Sequence, residues 1–132
     1  MLGIFDSHAH YDDSRFDEDR QELLAKMADA GVAYIVNVSA DMESVKGNRE
    51  LVKRYPFIYG SAGVHPEDAD KLTDADMDII REAAGDEKIV AIGEIGLDYH
   101  YPEPERSVQK EWFVKQLDIA AKLQMPVIIH SR

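Results

Sequence analysis

The sequence predicts an α/β chain in which five short parallel strands alternate with four helices. Three observations predict it. Apolar runs too short to be helices recur along the chain, segments with apolar residues at helical spacing lie between them, and Gly, Pro or a capping residue marks most junctions. Within each run the apolar residues are successive rather than alternate, which fits strands buried on both faces of a parallel sheet.

The elements follow in order. Gly3 to Asp6 is the first apolar run. The polar segment Tyr11-Asp12-Asp13-Ser14 separates it from a helical pattern that places Phe16, Leu23, Leu24, Met27 and Ala28 on one face, ended by Gly31. Val32 to Val38 is a second strand, and a second helix near Glu43 to Tyr55 is limited by Pro56. Phe57 to Val64 makes a third strand. Thr73 can cap a third helix, with Met77, Ile80, Ala83 and Ala84 inward and Gly85 at its end. Ile89 to Gly93 is a fourth strand. A longer helix from about Glu105 to Leu123 presents Val108, Trp112, Phe113, Gln116, Leu117, Ala120 and Ala121 at helical spacing, and Pro126 to His130 is a fifth short strand. No linker, repeat or low-complexity tract divides the chain, so 1–132 reads as one domain. This order suits either a doubly wound open sheet or the first part of a (β/α)8 barrel.

Composition removes several functions. With no cysteine, disulfides, thiolate nucleophiles and cysteine-held zinc are all absent, so a metal must be held by His, Asp and Glu. A net charge of −11, from 15 basic and 26 acidic residues, disfavours a broad basic surface for nucleic acid. Divalent cations bound at one point would reverse that balance locally. No apolar stretch reaches the roughly 18 residues of a membrane-spanning helix, and the N-terminus lacks the layout of a secretory signal, so a cytoplasmic protein is expected. Neither the phosphate-loop nor the dinucleotide glycine pattern follows the first strand.

The residues at the strand ends point to chemistry. His8 and His10, two apart after the first strand, project from one face if the strand continues through them, as a divalent-metal clamp requires. Glu94 follows the fourth run, where a carboxylate is costly to bury unless paired, protonated or bound to a cation. Gly93 and Gly96 leave room for a ligand or a neighbouring strand. His130 ends the fifth strand with Arg132 two residues on. His, Glu and His on three strands are the residue types of a di-metal hydrolytic site, in which a carboxylate can bridge two ions.

The motifs "DSHAH", "GVHP", "GEIGLDY" and "PVIIHSR", in this order and spacing, closely resemble the TatD family of metal-dependent hydrolases, the TatD-type deoxyribonucleases of the amidohydrolase-like barrels. The resemblance runs from Asp6 to Arg132. It implies that His8 and His10 bind one divalent ion (Mg2+, Mn2+ or Zn2+), that Glu94 bridges two such ions and is catalytic, and that His130 binds the second. It further implies that His65 and Arg132 contact the substrate phosphate, and that DNA or another phosphodiester is the substrate. Asp98 and Tyr99 match the pattern without an assigned role, and His100 is expected to be exposed. The alternative that the resemblance implies keeps the site and changes the bond, to an amide or ester, D-aminoacyl-tRNA included.

A family barrel would be about twice this length, with eight strands. The family's later ligands, a His after the sixth strand and an Asp after the eighth, have no counterpart in this sequence. A half-barrel leaves its inner face and two strand edges uncovered. Three expectations follow for that face: a longer chain, a homodimer of half-barrels, or packing as a different open sheet. For function, the non-enzyme alternative is a catalytically silent half-barrel.

Overall fold

The computed structural model describes residues 3–132. Its strands are β1 (Ile4–Ala9), β2 (Val32–Asn37), β3 (Ile58–Ala62), β4 (Ile89–Leu97) and β5 (Val127–Ser131). Its helices are α1 (Arg20–Ala25), α2 (Met42–Arg54), α3 (Asp74–Ala84) and α4 (Arg106–Leu123), with 3-10 turns at Ser14–Phe16 and Pro66–Lys71.

The five strands form one parallel sheet in the order β1-β2-β3-β4-β5. That order separates the two architectures left open by composition. A doubly wound sheet must reverse direction so that helices cover both faces. Strands laid down in sequence, each joined by a right-handed crossover, keep every helix on one side and let the sheet curl. Accordingly α2 packs on β3, α3 on β3 and β4, and α4 on β4. Between sheet and helices Leu24, Ile35, Ile58, Ile80, Ile92 and Ile119 are sealed from solvent. Met77, Ile80 and Ala83, three and four residues apart on α3, form its inward stripe.

The opposite, concave face is thinly covered. Ile35 and Ile58 point to the helices, so their neighbours Tyr34 and Tyr59 point the other way. Phe5, Tyr34 and Tyr59 form an aromatic row there, with ring centroids 6.4 and 6.3 Å apart. Phe5 is 58% and Tyr34 51% exposed.

Several boundaries depart from expectation. Phe16 lies in a 3-10 turn, and the first helix is only six residues long. Its N-cap Asp19 makes no side-chain cap bond. Instead the guanidinium of Arg20 donates to the carbonyls of Tyr11 (2.5 Å), Asp12 (3.1 Å) and Asp13 (2.9 Å) and to the Asp17 carboxylate (2.7 Å), stapling the loop after β1. Strand β3 stops at Ala62 rather than Val64. Strand β4 continues past Gly93 to Leu97, which puts Glu94 inside a strand and not at its end. α2 and α3 both begin on capping boxes, Asp41 with Ser44 and Thr73 with Asp76.

Of the two uses open for the β4 glycines, close strand approach is the one observed. A Cβ on Gly96, at φ +147, would fall 2.0 Å from the carbonyl oxygen of His130. The missing side chain is what lets β5 seat beside β4 and bring His130 to Glu94.

Candidate functional site

The site is built at the carboxyl ends of the strands. A register irregularity between Asp6 and Ala9 separates this end of β1 from Phe5, and with Ala9 packed into the helix-side core its neighbours His8 and His10 turn to the concave face. Their rings meet edge to face with centroids 5.0 Å apart. The carbonyl oxygen of Val38 lies 2.8 Å from His10 Nδ1. A carbonyl can only accept, so Nδ1 carries the proton and Nε2 keeps its lone pair for a ligand. His8 Nε2 stands 3.4 Å from Glu94 Oε2.

Glu94 is placed by its main chain. Two fully buried serines lace the strand ends together. Ser61 Oγ accepts from Ser39 N–H (3.0 Å) and donates to the Gly93 carbonyl (2.6 Å), and Ser39 Oγ donates to the Gly63 carbonyl (2.6 Å). The Glu94 N–H in turn donates to the Ser39 carbonyl at 2.7 Å. Neighbouring β2 is locked to α2 by the buried pair Asn37 and Asn48. Asn37 donates 2.6 Å to Asn48 Oδ1 and 2.7 Å to the Asp12 carboxylate, and Asn48 donates to the carbonyls of Asn37 (2.8 Å) and Ser61 (3.0 Å). Burial pushes the Asp12 carboxyl above the ordinary carboxylate value.

His130 reaches the site from β5. Its Nδ1 lies 3.2 Å from Glu94 Oε1 and its Nε2 2.8 Å from Asp98 Oδ2. Asp98 is almost fully buried and also accepts from the His100 N–H (3.0 Å) and from Arg132, whose Nε and Nη2 lie 3.0 and 2.9 Å from Oδ2. Arg132 in turn pairs with Glu67 at 3.1 Å, and about half of its side chain is exposed. The Arg132 guanidinium, followed by the bonds from His100 and His130, holds the Asp98 carboxyl well below the usual carboxylate range.

His65 opens the 3-10 turn after β3, where its Nδ1 accepts from the Glu67 N–H at 3.1 Å. Its ring sits edge to face on His130, centroids 4.1 Å apart. Burial, reinforced by His130, lowers its pKa below the ordinary histidine value, so at neutral pH the ring is neutral with its one proton on Nε2. Val64 beside it is gripped by Gln116 of α4, which accepts from the Val64 N–H (2.8 Å) and donates to its carbonyl (3.2 Å). Gln109, about two turns earlier on α4, holds Asp98 in the same way, accepting from its N–H and donating to its carbonyl, both at 2.8 Å.

The structure therefore brings His8, His10, Glu94, His130 and His65 around one cleft of about 670 Å³. Arg132 stands behind His130, joined through Asp98, and His100 lies exposed as expected. The donor set fits a divalent ion. Ligand atoms of His8, His10 and Glu94 all lie within 4.8 Å of one another. Two donors on a tetrahedral ion with bonds of about 2.1 Å stand about 3.4 Å apart, which the His8 and His130 separations from Glu94 approach. Imidazole-rich coordination suits Zn2+ or Mn2+ better than Mg2+. His65, Asp98 and His130 also converge within 4.8 Å. There the charge of Asp98 is already matched by Arg132, so this second group works as a hydrogen-bonded support. Sequence reasoning missed Asp98, Ser39 and Ser61. Asp98 was visible only as a motif position, and the serines left no periodic signal.

The family described as TatD related DNase matches residues 5–132. A protein of Bacillus subtilis named uncharacterized metal-dependent hydrolase YabD is 39% identical over 129 residues, 98% of this chain and 51% of that protein. The Escherichia coli K12 protein named 3'-5' ssDNA/RNA exonuclease TatD is 36% identical over 131 residues, 98% of this chain and 50% of that protein. The crystal structure of YJJV, a TatD homologue from Escherichia coli K12, matches with a TM-score of 0.91 at 32% identity, covering 100% of this chain and 52% of that one. The chain thus spans about half the length of the relatives it matches. Its curled sheet is a half-barrel of the (β/α)8 type, as the motifs implied.

Proposed function

The chain belongs to the TatD related DNase family, and from that premise we propose that it is the metal-holding half of a hydrolase that cleaves phosphodiester bonds in single-stranded nucleic acid. The observation that supports this most directly is Glu94, whose two oxygens each face an imidazole nitrogen from a different strand, His8 at 3.4 Å and His130 at 3.2 Å. A carboxylate so placed is suited to be shared between two cations.

In this reading His8, His10 and Glu94 would hold one divalent ion, and Glu94 and His130 would contribute to a second. Ions bound there would supply the acidity that activates water and the positive charge that the attacked phosphate needs. Glu94 is the catalytic residue, orienting the reacting centre between the two histidine-bearing strands. His65 is neutral with its proton on Nε2, so it donates a hydrogen bond to a phosphate oxygen without adding a charge. Arg132 is half exposed and retains donors for a phosphate beyond those given to Asp98 and Glu67. The acidic rim of the cleft, Asp12, Asp13, Asp41 and Glu43 among others, disfavours a long polyanion lying across it. It favours action at a chain end, consistent with the exonuclease names of the relatives.

The test is release of nucleotides from labelled single-stranded DNA with Mn2+ or Mg2+, together with metal titration by calorimetry. Metal-dependent release that Glu94→Gln reduces to background, with weakened ion binding, is the expected result. Intact DNA with either ion, both for this chain and for a full-length chain containing it, would overturn the nuclease reading.

No helix among the described residues is long and apolar enough to cross a membrane.

A further inference from the structure

His130 is held on both nitrogens, and the two contacts are not equivalent. Glu94 faces Nδ1 at 3.2 Å and shares its carboxylate with His8. Asp98 faces Nε2 at 2.8 Å from a buried position where nothing lets it move. Gln109 clamps its main chain on both sides, the His100 N–H occupies Oδ1, and Arg132 holds both carboxylate oxygens. Arg132 is itself set in register opposite Asp98. Its N–H donates to the Leu97 carbonyl (3.1 Å), and its carbonyl accepts from the Tyr99 N–H (2.6 Å).

We propose that Asp98, braced by Arg132, is the positioning residue that takes the Nε2–H proton of His130 and so presents the Nδ1 lone pair of that ring to the Glu94 side of the cleft. The shorter contact and the fixed acceptor place the proton on Nε2. Nδ1 and Glu94 Oε1 then face one another as two lone-pair donors, an arrangement stabilised only when a cation lies between them. The opposite choice would turn the lone pair of His130 toward Asp98, where Arg132 already supplies the positive charge. His10 offers the complementary pattern in the same molecule. Its proton sits on Nδ1 against the Val38 carbonyl, and its lone pair is on Nε2. The two histidines thus use opposite nitrogens, each chosen by what binds the far side of its ring. Arg132 accordingly acts on the site through Asp98 as well as through the substrate contact proposed above.

That Nδ1 serves a metal rests on the hydrolase reading, but the tautomer does not, so the two can fail separately. The experiment is long-range 1H–15N correlation of the histidine rings in the metal-free chain at about pH 9, well above the ordinary histidine value of about 6.5. His130 is expected to show a protonated, pyrrole-type Nε2 with a slowly exchanging proton and a pyridine-type Nδ1, and His10 the reverse. Asp98→Ala should abolish the slow proton of His130 and draw its two nitrogen shifts toward a tautomer average, leaving the His10 pattern as proof that the fold persists. If that pattern is lost as well, Arg132→Ala decides, because it keeps the acceptor and removes the brace. Faster exchange of the His130 Nε2–H supports the brace, and unchanged exchange overturns it. A wild-type proton on Nδ1, or an Asp98→Ala spectrum identical at His130, overturns the proposal. In Zn2+ titrations Asp98→Ala should weaken the His130-dependent step by about 10–100-fold and leave the His8–His10 step unchanged. Equal loss at both steps would show a merely structural role and overturn it. Absence of nuclease activity would leave all of these readouts standing.

Discussion

The two faces of the one sheet have been treated differently. Toward the helices, Ile35, Ile58 and Ile92 are sealed between β-strands and α-helices. Toward the concave side, Phe5 and Tyr34 leave more than half of their surface exposed in a row with Tyr59. Both faces read as apolar in sequence, as a sheet enclosed on both sides should. The difference teaches that the helix layer accounts for the stability of this unit, while the concave face carries residues shaped for a cover that the described residues do not supply. A barrel interior is such a setting, since its side chains are normally buried in layers.

That contrast can be broken by substitution. The largest effect is expected at Ile92→Ala, which empties a fully buried position and should cost about 2–5 kcal/mol in denaturant unfolding. Tyr34→Ala should cost less, about 1–2 kcal/mol, because only about half of its area is removed from water. Equal costs, falling together on dilution, would mean that the concave face is covered by a second copy in solution. Next comes Asn48→Ala, which strips the carbonyls of Asn37 and Ser61 and the amide of Asn37 of buried partners and should cost about 1–3 kcal/mol. A neutral result would show that water enters between α2 and the sheet.

The acid limb sharpens the comparison at the cleft. The Asp98 carboxyl titrates below its unfolded value of about 3.9, so the folded chain binds fewer protons there than the unfolded chain. Its contribution is present above that value and lost as pH falls through the depressed folded value. The stability gap between wild type and Asp98→Asn should therefore narrow as pH drops below about 4, and a gap independent of pH would contradict the pairing with Arg132. The smallest effect is expected at Lys26→Ala, which breaks only the exposed i,i+4 pair with Glu22 and should change stability by less than about 0.5 kcal/mol.

Much of this was legible in sequence for a physical reason. His8, His10, Glu94 and His130 each follow an apolar run, and a polar group directly after such a run stands out against it. The alternation of strand and helix was equally plain. The choice between an open and a curled sheet was not, since it depends on which strand lies beside which, and spatial order leaves no mark on composition. Arg20 was invisible because it bonds to main-chain carbonyls, which every residue possesses. Asn37, Ser39, Asn48 and Ser61 carry no assignment from the sequence, because the buried main-chain groups they serve become visible only in the fold. Gln116 was counted on the inward face of α4, but its amide there is a clamp and not packing material.

That clamp and its twin have a mechanical consequence. Gln109 and Gln116 fasten one helix to Asp98 and to Val64, next to His65, each through paired bonds to one residue's main chain. Helix α4 is therefore a gauge block for the far side of the cleft. The spacing between the His65 loop and the Asp98 support is set by seven residues of one helix, from Gln109 to Gln116, and a substitution that displaced α4 would carry both of them together.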